Sequence, residues 1–322
     1  MQSIYGRRIS MSFVKREFTA PSCDGIHTLK GVVYEPAVTP VGYFQIAHGM
    51  TEHIGRYDRI MSDLCERGFV CFGYDHLGHG NTARDKSELG YIAEKGGWDL
   101  LCRDIKSFSD AILAEYSDKY GKLPYFLMGH SMGSFIVRLA AEKYVTPDKL
   151  IVMGTGGANP AAPAGIALIS LIKLFKGDRH ISKFIDKMAF GSYNNKFKGD
   201  ADASSKSWLT TDQSIRNKYL EDNYCTFKFT VSAMGDLMTL LKSSNRGEWF
   251  KKMAKKDFPI LLVSGEDDPV GDYGKGVRQV EEKLKRSGAD VECILYKGGR
   301  HEILNDITYE SVREDIIGFC LK

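Results

Sequence analysis

Short apolar runs alternate with longer amphipathic stretches along most of this chain of 322 residues. Apolar runs of four to eight residues between turn residues are typical of buried strands, and longer stretches with one apolar face are typical of helices. The pattern predicts strands at residues 12–18, 28–34, 41–47, 69–74, 125–128, 150–153, 260–264 and 292–296, and helices at 98–120, 132–145, 276–286 and 308–320. Such alternation predicts an α/β fold with a mostly parallel, eight-stranded sheet and helices on both faces.

A Gly-x-Ser-x-Gly pattern lies between the predicted strand at 125–128 and the helix that follows it. Its residues are Gly129, His130, Ser131, Met132 and Gly133. A serine in such a strand-to-helix turn forms a nucleophile elbow, in which glycines two positions away on either side avoid a Cβ clash. The pattern alone is weak and a chance match is the alternative, but its strand-turn-helix context favours Ser131 as a nucleophile.

A serine hydroxyl needs a base and an acid to become a nucleophile. In hydrolases with this elbow, the acid and then the histidine follow the serine along the chain, each just after a core strand. Asp268 follows the strand at 260–264 and is preferred to Asp267, with Glu266 and Asp272 as weaker candidates. His301 follows the strand at 292–296 and is the predicted general base, because the other seven histidines all precede the acid.

The oxyanion of an acyl-transfer reaction needs two preorganised donors, which are usually backbone N–H groups. The first predicted donor is the N–H of Met132, the residue after the nucleophile. The second is the N–H of Met50, because His48 and Gly49 end the third strand in an HG-x pattern. A plain turn at His48-Gly49 would be the alternative if Ser131 were absent.

Five groups of residues together resemble a known family. They are His48-Gly49-x-x-Glu52-His53-x-x-Arg56-Tyr57, Asp75-x-x-Gly78-His79-Gly80, the elbow around Ser131, Asp268 after a strand, and His301 near the end. In this order the chain resembles the monoacylglycerol lipase and lysophospholipase branch of the α/β-hydrolases, which is also grouped with serine aminopeptidase-like hydrolases. From the residues themselves, we expect Glu52, His53, Arg56 and Tyr57 either to support the site residues or to pack. We expect Asp75 and His79 to form turn hydrogen bonds.

The alternation of strands and helices stops at about residues 156–230, where the resemblance implies an inserted helical cap. Stretches at 190–194 and 207–212 look like cap segments of lysophospholipase-type members. The predicted division is a core of 1–155, a cap of 156–230 and a second core part of 231–322. The apolar stretch at 164–175 is too short to span a bilayer, which needs about 20 residues. It is either a lid helix, with Leu171 and Leu174 against an acyl chain and a face toward membranes, or a helix buried against the core.

Composition narrows the remaining possibilities. The net charge of 44 − 41 = +3 is too balanced to suggest nucleic acid as a partner, and the apolar fraction of 43% suits a large core. Seven cysteines without C-x-x-C spacing favour a reducing cytoplasm. Residues 1–18 have no apolar run typical of a secretory signal. No cofactor or metal is predicted, since Asn305 stands where the zinc motif that begins at His301-Glu302 requires histidine.

Three functions remain for this set of residues. The first is a serine hydrolase that cleaves a lipid ester, either a monoacylglycerol or a lysophospholipid, through an acyl-enzyme. The second is a peptidase, thioesterase or acyltransferase with the same residues. The third is a binding protein on an inactive hydrolase fold, which the intact set of Ser131, Asp268 and His301 disfavours. Acyl length, head group and oligomeric state stay open at this stage.

Overall fold

The computed structural model describes residues 13–322 and contains a single eight-stranded sheet. Its strands are β1 (Phe13–Pro21), β2 (Thr28–Pro36), β3 (Gly42–Ala47), β4 (Phe69–Tyr74), β5 (Tyr125–His130), β6 (Lys149–Met153), β7 (Ile260–Gly265) and β8 (Val291–Tyr296). All eight predicted strands are confirmed, with ends that differ by three residues at most. Ser12, the predicted start of the first strand, and most of the segment searched for a secretory signal lie outside the described residues.

The strand order is β1-β2-β4-β3-β5-β6-β7-β8. The six strands from β3 to β8 are parallel to one another. Strand β2 is antiparallel to both of its neighbours, β1 and β4. Every residue of β3, β4, β5 and β7 is buried. Continuous apolar runs are expected in strands that are covered on both faces, which explains why the sequence shows runs rather than alternation here.

Ten helices cover the sheet and one of its edges in the described part of the chain. They are α1 (Asp58–Glu66), α2 (Gly97–Tyr120), α3 (Met132–Lys143), α4 (Ala162–Lys176), α5 (Lys183–Phe190), α6 (Gln213–Glu221), α7 (Val231–Ser244), α8 (Gly247–Met253), α9 (Lys275–Ser287) and α10 (Tyr309–Leu321). Helices α1 and α10 bury their apolar sides in the core on one face. Helices α2, α3 and α9 do so in the core on the other.

Residues 154–259, all of them described, contain helices α4 to α8 and no strand. The sequence pattern did not predict α5 to α8 as separate helices. Helices α5, α6 and α8 have nine residues or fewer, which is too short for an apolar periodicity to stand out. Helix α7 packs against α2, α3 and α4, so its apolar residues do not form one stripe. No helix in residues 13–322 is both long and apolar enough to cross a membrane.

The topology brings three distant segments to one edge of the sheet. In a parallel sheet the carboxyl ends of neighbouring strands meet at the same edge, and ligands bind there. Ser131 follows β5, Asp268 lies three residues after β7, and His301 lies five residues after β8. The helices that link β6 to β7 leave the sheet at this same edge, where they cover it.

Candidate active site

Ser131 occupies the turn between β5 and α3, with φ 54° and ψ −119°. A positive φ is sterically costly for a residue that has a Cβ, so this backbone is strained. The N–H of Ser131 donates to the carbonyl oxygen of Met153 at 3.0 Å. A Cβ at Gly129 would lie 2.3 Å from the carbonyl oxygen of Gly133, and a Cβ at Gly133 would lie 2.2 Å from that of Ala47. Only glycine fits at these two positions, as the sequence pattern predicts.

Asp268 and His301 form a buried pair next to this turn. The Nδ1 of His301 lies 2.9 Å from the Oδ2 of Asp268, and both side chains are almost completely buried. The backbone N–H of Val270 donates to Oδ1 at 2.8 Å, and the Ser264 hydroxyl donates to Oδ2 at 3.2 Å. Burial opposes ionisation of Asp268, but the charge and hydrogen bond of His301 and the Val270 N–H outweigh it. Together they hold the pKa of Asp268 below its ordinary value.

None of the neighbouring carboxylates forms a hydrogen bond with His301 in the described part of the chain. Asp267 forms an ion pair with Lys196, and both side chains are partly exposed. Glu266 and Asp272 are exposed. Of the four carboxylates considered in the sequence, Asp268 is therefore the one that the structure places beside His301.

His48 is held as a neutral ring by the backbone. Its Nε2 accepts the N–H of His76 at 3.0 Å, so its Nδ1 carries the proton that faces the carbonyl oxygen of Gly49 at 2.8 Å. Burial lowers the pKa of His48 well below its ordinary value. With both ring nitrogens bound to backbone, His48 shapes the loop that ends in Met50 and has no free nitrogen for proton transfer.

Glu52 lies at the centre of a buried hydrogen-bond network. Its Oε1 accepts the backbone N–H of Gly49 and the hydroxyl of Tyr57, the latter at 2.8 Å, and lies 3.3 Å from the Nδ1 of His130. Its Oε2 accepts a hydrogen bond from Arg56 at 3.0 Å. Burial opposes ionisation of Glu52, yet the hydrogen bond and charge of His130 and the charge of Arg56 hold its pKa well below the ordinary value.

The network continues to the loop that carries His301. Both terminal nitrogens of Arg56 donate to the carboxylate of Glu302, each at 2.7 Å. The Nε2 of His130 lies 3.2 Å from the carbonyl oxygen of His301. The elbow, the loop before Met50 and the His301 loop are thus joined through buried polar contacts.

Of the two roles expected from the sequence, support of the site residues or packing, these contacts show the first for Glu52 and Arg56. The signal was present in the spacing His48-Gly49-x-x-Glu52-x-x-x-Arg56, but a single sequence did not indicate which atoms the carboxylate reaches. Asp75 does have the expected turn role, since it accepts the backbone N–H groups of Ile54 and Asn81.

Ser131 and His301 open into one cavity of about 1090 Å³. The residues carrying both predicted oxyanion donors, Met50 and Met132, line it as well. An apolar wall comes from α4, α7 and the start of α3: Phe135, Ala164, Leu168, Ile169, Met234, Leu237, Met238 and Leu241. A polar end is formed by residues such as Thr51, Lys206, Tyr219 and Glu302.

Helix α4 corrects one expectation from the sequence. Leu171 and Leu174, which we expected against an acyl chain, do not line the cavity and are 53% and 77% exposed. Leu168 and Ile169 line it instead. A 12-residue run that is nearly all apolar does not reveal from its pattern which face turns inward. The packing of α4 on α7 decides this.

One group in the described residues has the chemistry of metal ligands. The ligand atoms of His53, Asp222 and Cys225 lie within 4.8 Å of one another. The Nε2 of His53 is already within 2.9 Å of the Oδ2 of Asp222, which satisfies both groups without an ion. All seven cysteines of the chain are unpaired.

Comparison with known proteins gives consistent matches across most of the chain. The family model described as serine aminopeptidase, S33, matches residues 39–308. The monoglyceride lipase of Mus musculus is 32% identical over 285 residues, which are 86% of this chain and 83% of that protein. The crystal structure of a thermostable carboxyl esterase from Bacillus coagulans, in complex with glycerol, superposes with a TM-score of 0.88. It is 28% identical, and the match covers 96% of this chain and 99% of that one.

The charge on Glu52 yields a pH-dependent prediction for stability. Glu52 has a lowered pKa, so its ionised form stabilises the fold above its unfolded pKa of about 4.3 and this is lost as pH falls. His130 has a raised pKa, to which Glu52 contributes, and its protonated form stabilises the fold below about 6.5 and loses this as pH rises. Glu52→Gln should therefore lower the free energy of unfolding most, by roughly 1–3 kcal/mol, between about pH 4.3 and pH 6.5.

Urea unfolding of the wild type and of Glu52→Gln at pH 4, 5.5 and 8.5 measures this difference. Glu310→Gln is the matched control, because the Glu310 carboxylate is exposed on the surface. A cost of Glu52→Gln that is the same at all three pH values would show that the charge of Glu52 is not what stabilises the network.

Proposed function

Because this chain belongs to the serine aminopeptidase S33 family of α/β-hydrolases, we propose that it hydrolyses carboxylic esters of lipid type through an acyl-enzyme on Ser131. The observation that carries this proposal is the cavity, in which Ser131 and His301 stand beside a wall of apolar side chains. The relatives named monoglyceride lipase and carboxyl esterase support an ester of the monoacylglycerol type as the substrate.

In the proposed mechanism, Ser131 attacks the ester carbonyl while His301 takes the hydroxyl proton. Asp268 orients the imidazole through Nδ1 and stabilises its protonated form. The N–H groups of Met50 and Met132 hold the oxyanion, and His301 then returns the proton to the leaving alcohol. A water activated by His301 releases the fatty acid from Ser131. The buried bonds of Glu52 keep the Met50 loop in place before substrate arrives.

The acyl chain is assigned to the apolar wall formed by α4 and α7. Each buried CH₂ contributes about 0.8 kcal/mol, so a chain gains from lying against Leu168, Met234 and Met238. The alcohol part of the ester then faces the polar end of the cavity. This arrangement favours esters with one long acyl chain and a small alcohol over triacylglycerols, whose bulk the covering helices exclude.

An aminopeptidase with the same residues is the second candidate, since the family carries that description. Such an enzyme needs a carboxylate for the free ammonium group of its substrate. Glu52 and Glu302 are occupied by Arg56, and Asp186 pairs with Lys228 at 2.7 Å. Three of the four carboxylates that line the cavity therefore have cationic partners, and the fourth, Asp272, is exposed to solvent. This supports esters over aminoacyl arylamides.

Three finer assignments belong to this proposal. Residues 156–230 act as a cap over the cavity. The exposed apolar side chains of α4 and α5, including Leu174, Phe175 and Phe184, allow peripheral contact of the cap with a membrane. Seven unpaired cysteines support a cytoplasmic location. A vesicle sedimentation assay tests the membrane contact, and fractionation of cells tests the cytoplasmic location.

Replacing Ser131 by alanine should abolish ester hydrolysis and leave the fold intact, because one oxygen is removed from a residue that lines a cavity. Loss of the nucleophile in serine hydrolases lowers kcat on the order of 10⁶-fold. The assay is hydrolysis of p-nitrophenyl octanoate, with labelling by a fluorophosphonate read by intact mass. Ser192→Ala, which changes another serine of the cavity, should retain activity. A Ser131→Ala protein that keeps more than a few per cent of activity would contradict the proposal.

The two adjacent aspartates should differ sharply in their effect on kcat. Asp268→Asn should lower kcat by about 10⁴-fold, because asparagine holds the histidine in the wrong tautomer. Asp267→Asn is the matched control and should lower kcat only slightly, since this side chain contacts Lys196 at the surface. Steady-state kinetics on one ester decides the order, and a larger loss from Asp267→Asn would overturn the assignment of Asp268.

Specificity for acyl length should depend on the inward face of α4. For the wild type we expect kcat/KM to rise roughly fourfold per methylene from acetyl to medium-chain esters. Leu168→Trp should end this rise at a shorter chain and leave acetyl ester turnover unchanged, because indole fills the cavity beside the chain. Leu174→Trp, on the exposed side of the same helix, is the control. A wild type that prefers acetyl esters, or equal effects of both variants, would contradict the assigned acyl wall.

A further inference from the structure

Most charged side chains at the polar end of the cavity are paired. Arg56 lies between the carboxylates of Glu52 and Glu302. Asp186 is paired with Lys228. Arg56 balances one of its two carboxylates, and the remaining negative charge lies beside His130, whereas Asp186 and Lys228 balance each other.

Lys206 differs from these groups. It lines the cavity, and among residues 13–322 no carboxylate lies within ion-pair distance of its Nζ. The Nζ instead lies 4.7 Å from the centre of the Tyr219 ring. A cation over an aromatic face is stabilised less than one bound to an anion, so this ammonium group retains capacity for a charged partner. Burial lowers the pKa of Lys206 by more than the charges of Glu302 and Asp186 raise it, and an anion bound at the ammonium group would raise it further.

The position of Lys206 relative to Ser131 is set by the surrounding backbone. The N–H of Leu209 donates to the carbonyl oxygen of Lys206 at 2.9 Å, and the N–H of Glu302 donates to that of Leu209 at 2.7 Å. The segment that carries Lys206 is thus attached to the loop of His301. On the other side, the Tyr219 hydroxyl donates to the carbonyl oxygen of Thr51 at 2.9 Å, next to Met50.

The apolar wall of α4 and α7 lies at the acyl side of the ester, so Lys206 faces the alcohol part. We propose that Lys206 binds an anionic group on the alcohol part of the substrate, such as the phosphate of an acyl glycerol phosphate. This assignment rests on the proposed ester hydrolysis and specifies its substrate class. Neutral monoacylglycerols are still accepted, because a glycerol hydroxyl also accepts a hydrogen bond from an ammonium group, although a weaker one.

The test compares 1-dodecanoylglycerol with 1-dodecanoylglycerol 3-phosphate, which differ only in the phosphate, both as monomers in solution. For the wild type we expect the higher kcat/KM with the phosphate ester. Lys206→Met should lower kcat/KM for this substrate about 10- to 100-fold and change that for dodecanoylglycerol less than threefold. Lys206→Arg should keep most of the preference. The preference of the wild type should also weaken at high salt.

Several outcomes would overturn the role of Lys206. An equal loss on both substrates in Lys206→Met would indicate a structural role, and no loss on either would exclude contact with the head group. If Lys206→Met is no longer inhibited by free dodecanoate but keeps the preference for the phosphate ester, Lys206 binds the fatty acid product instead. If the wild type cleaves neither substrate and no p-nitrophenyl ester, the proposed function itself fails, which is distinct from failure of this inference.

Discussion

The positive φ of Ser131 is the constraint on which the rest of the site depends. A non-glycine residue in such a conformation costs on the order of 1–3 kcal/mol and persists only where its surroundings leave no alternative. Here the anchor to Met153 and the close approach of Gly133 to the backbone of Ala47 hold the turn. In this backbone conformation, the side chain of Ser131 lies at the cavity, beyond the end of the sheet. Strands β3, β5 and β6 must be in register for the turn to exist, so the chemistry depends on the sheet as a whole.

Buried charge joins the loops that the sheet brings together. Taking Glu52, Arg56 and Glu302 out of water is costly, and their mutual attraction compensates only when nearly every hydrogen bond is made. The observed distances of 2.7 to 3.0 Å meet that condition. Such a network is poor at adding stability, but it tolerates few alternative arrangements. It therefore suits loops from different strands that must keep a common geometry around His301 and Met50.

The cavity separates two kinds of chemistry. Its apolar wall comes from helices inserted between β6 and β7, and its polar end comes from the loops at the sheet edge and the segment around Lys206. The same helices present apolar side chains on their outer sides, as with Leu174 and Phe175. Helices that are apolar on both sides fit our proposal of a cap over a lipid ester substrate. The family gives the reaction class, and in our proposal Lys206 adjusts which ester is preferred.

The sequence by itself determined the strands, the class of fold, the elbow at Ser131 and the order of Asp268 and His301, because runs and motifs are local properties that follow from sterics and burial. It did not determine which face of α4 turns inward, since a helix that is apolar on nearly every side carries little directional signal, and Leu171 and Leu174 were assigned wrongly. The sequence also did not predict the hydrogen bond between Glu52 and Gly49, or that no carboxylate in residues 13–322 lies within ion-pair distance of Lys206. Both depend on which atoms meet across large separations in the chain, and only the packed tertiary structure decides that.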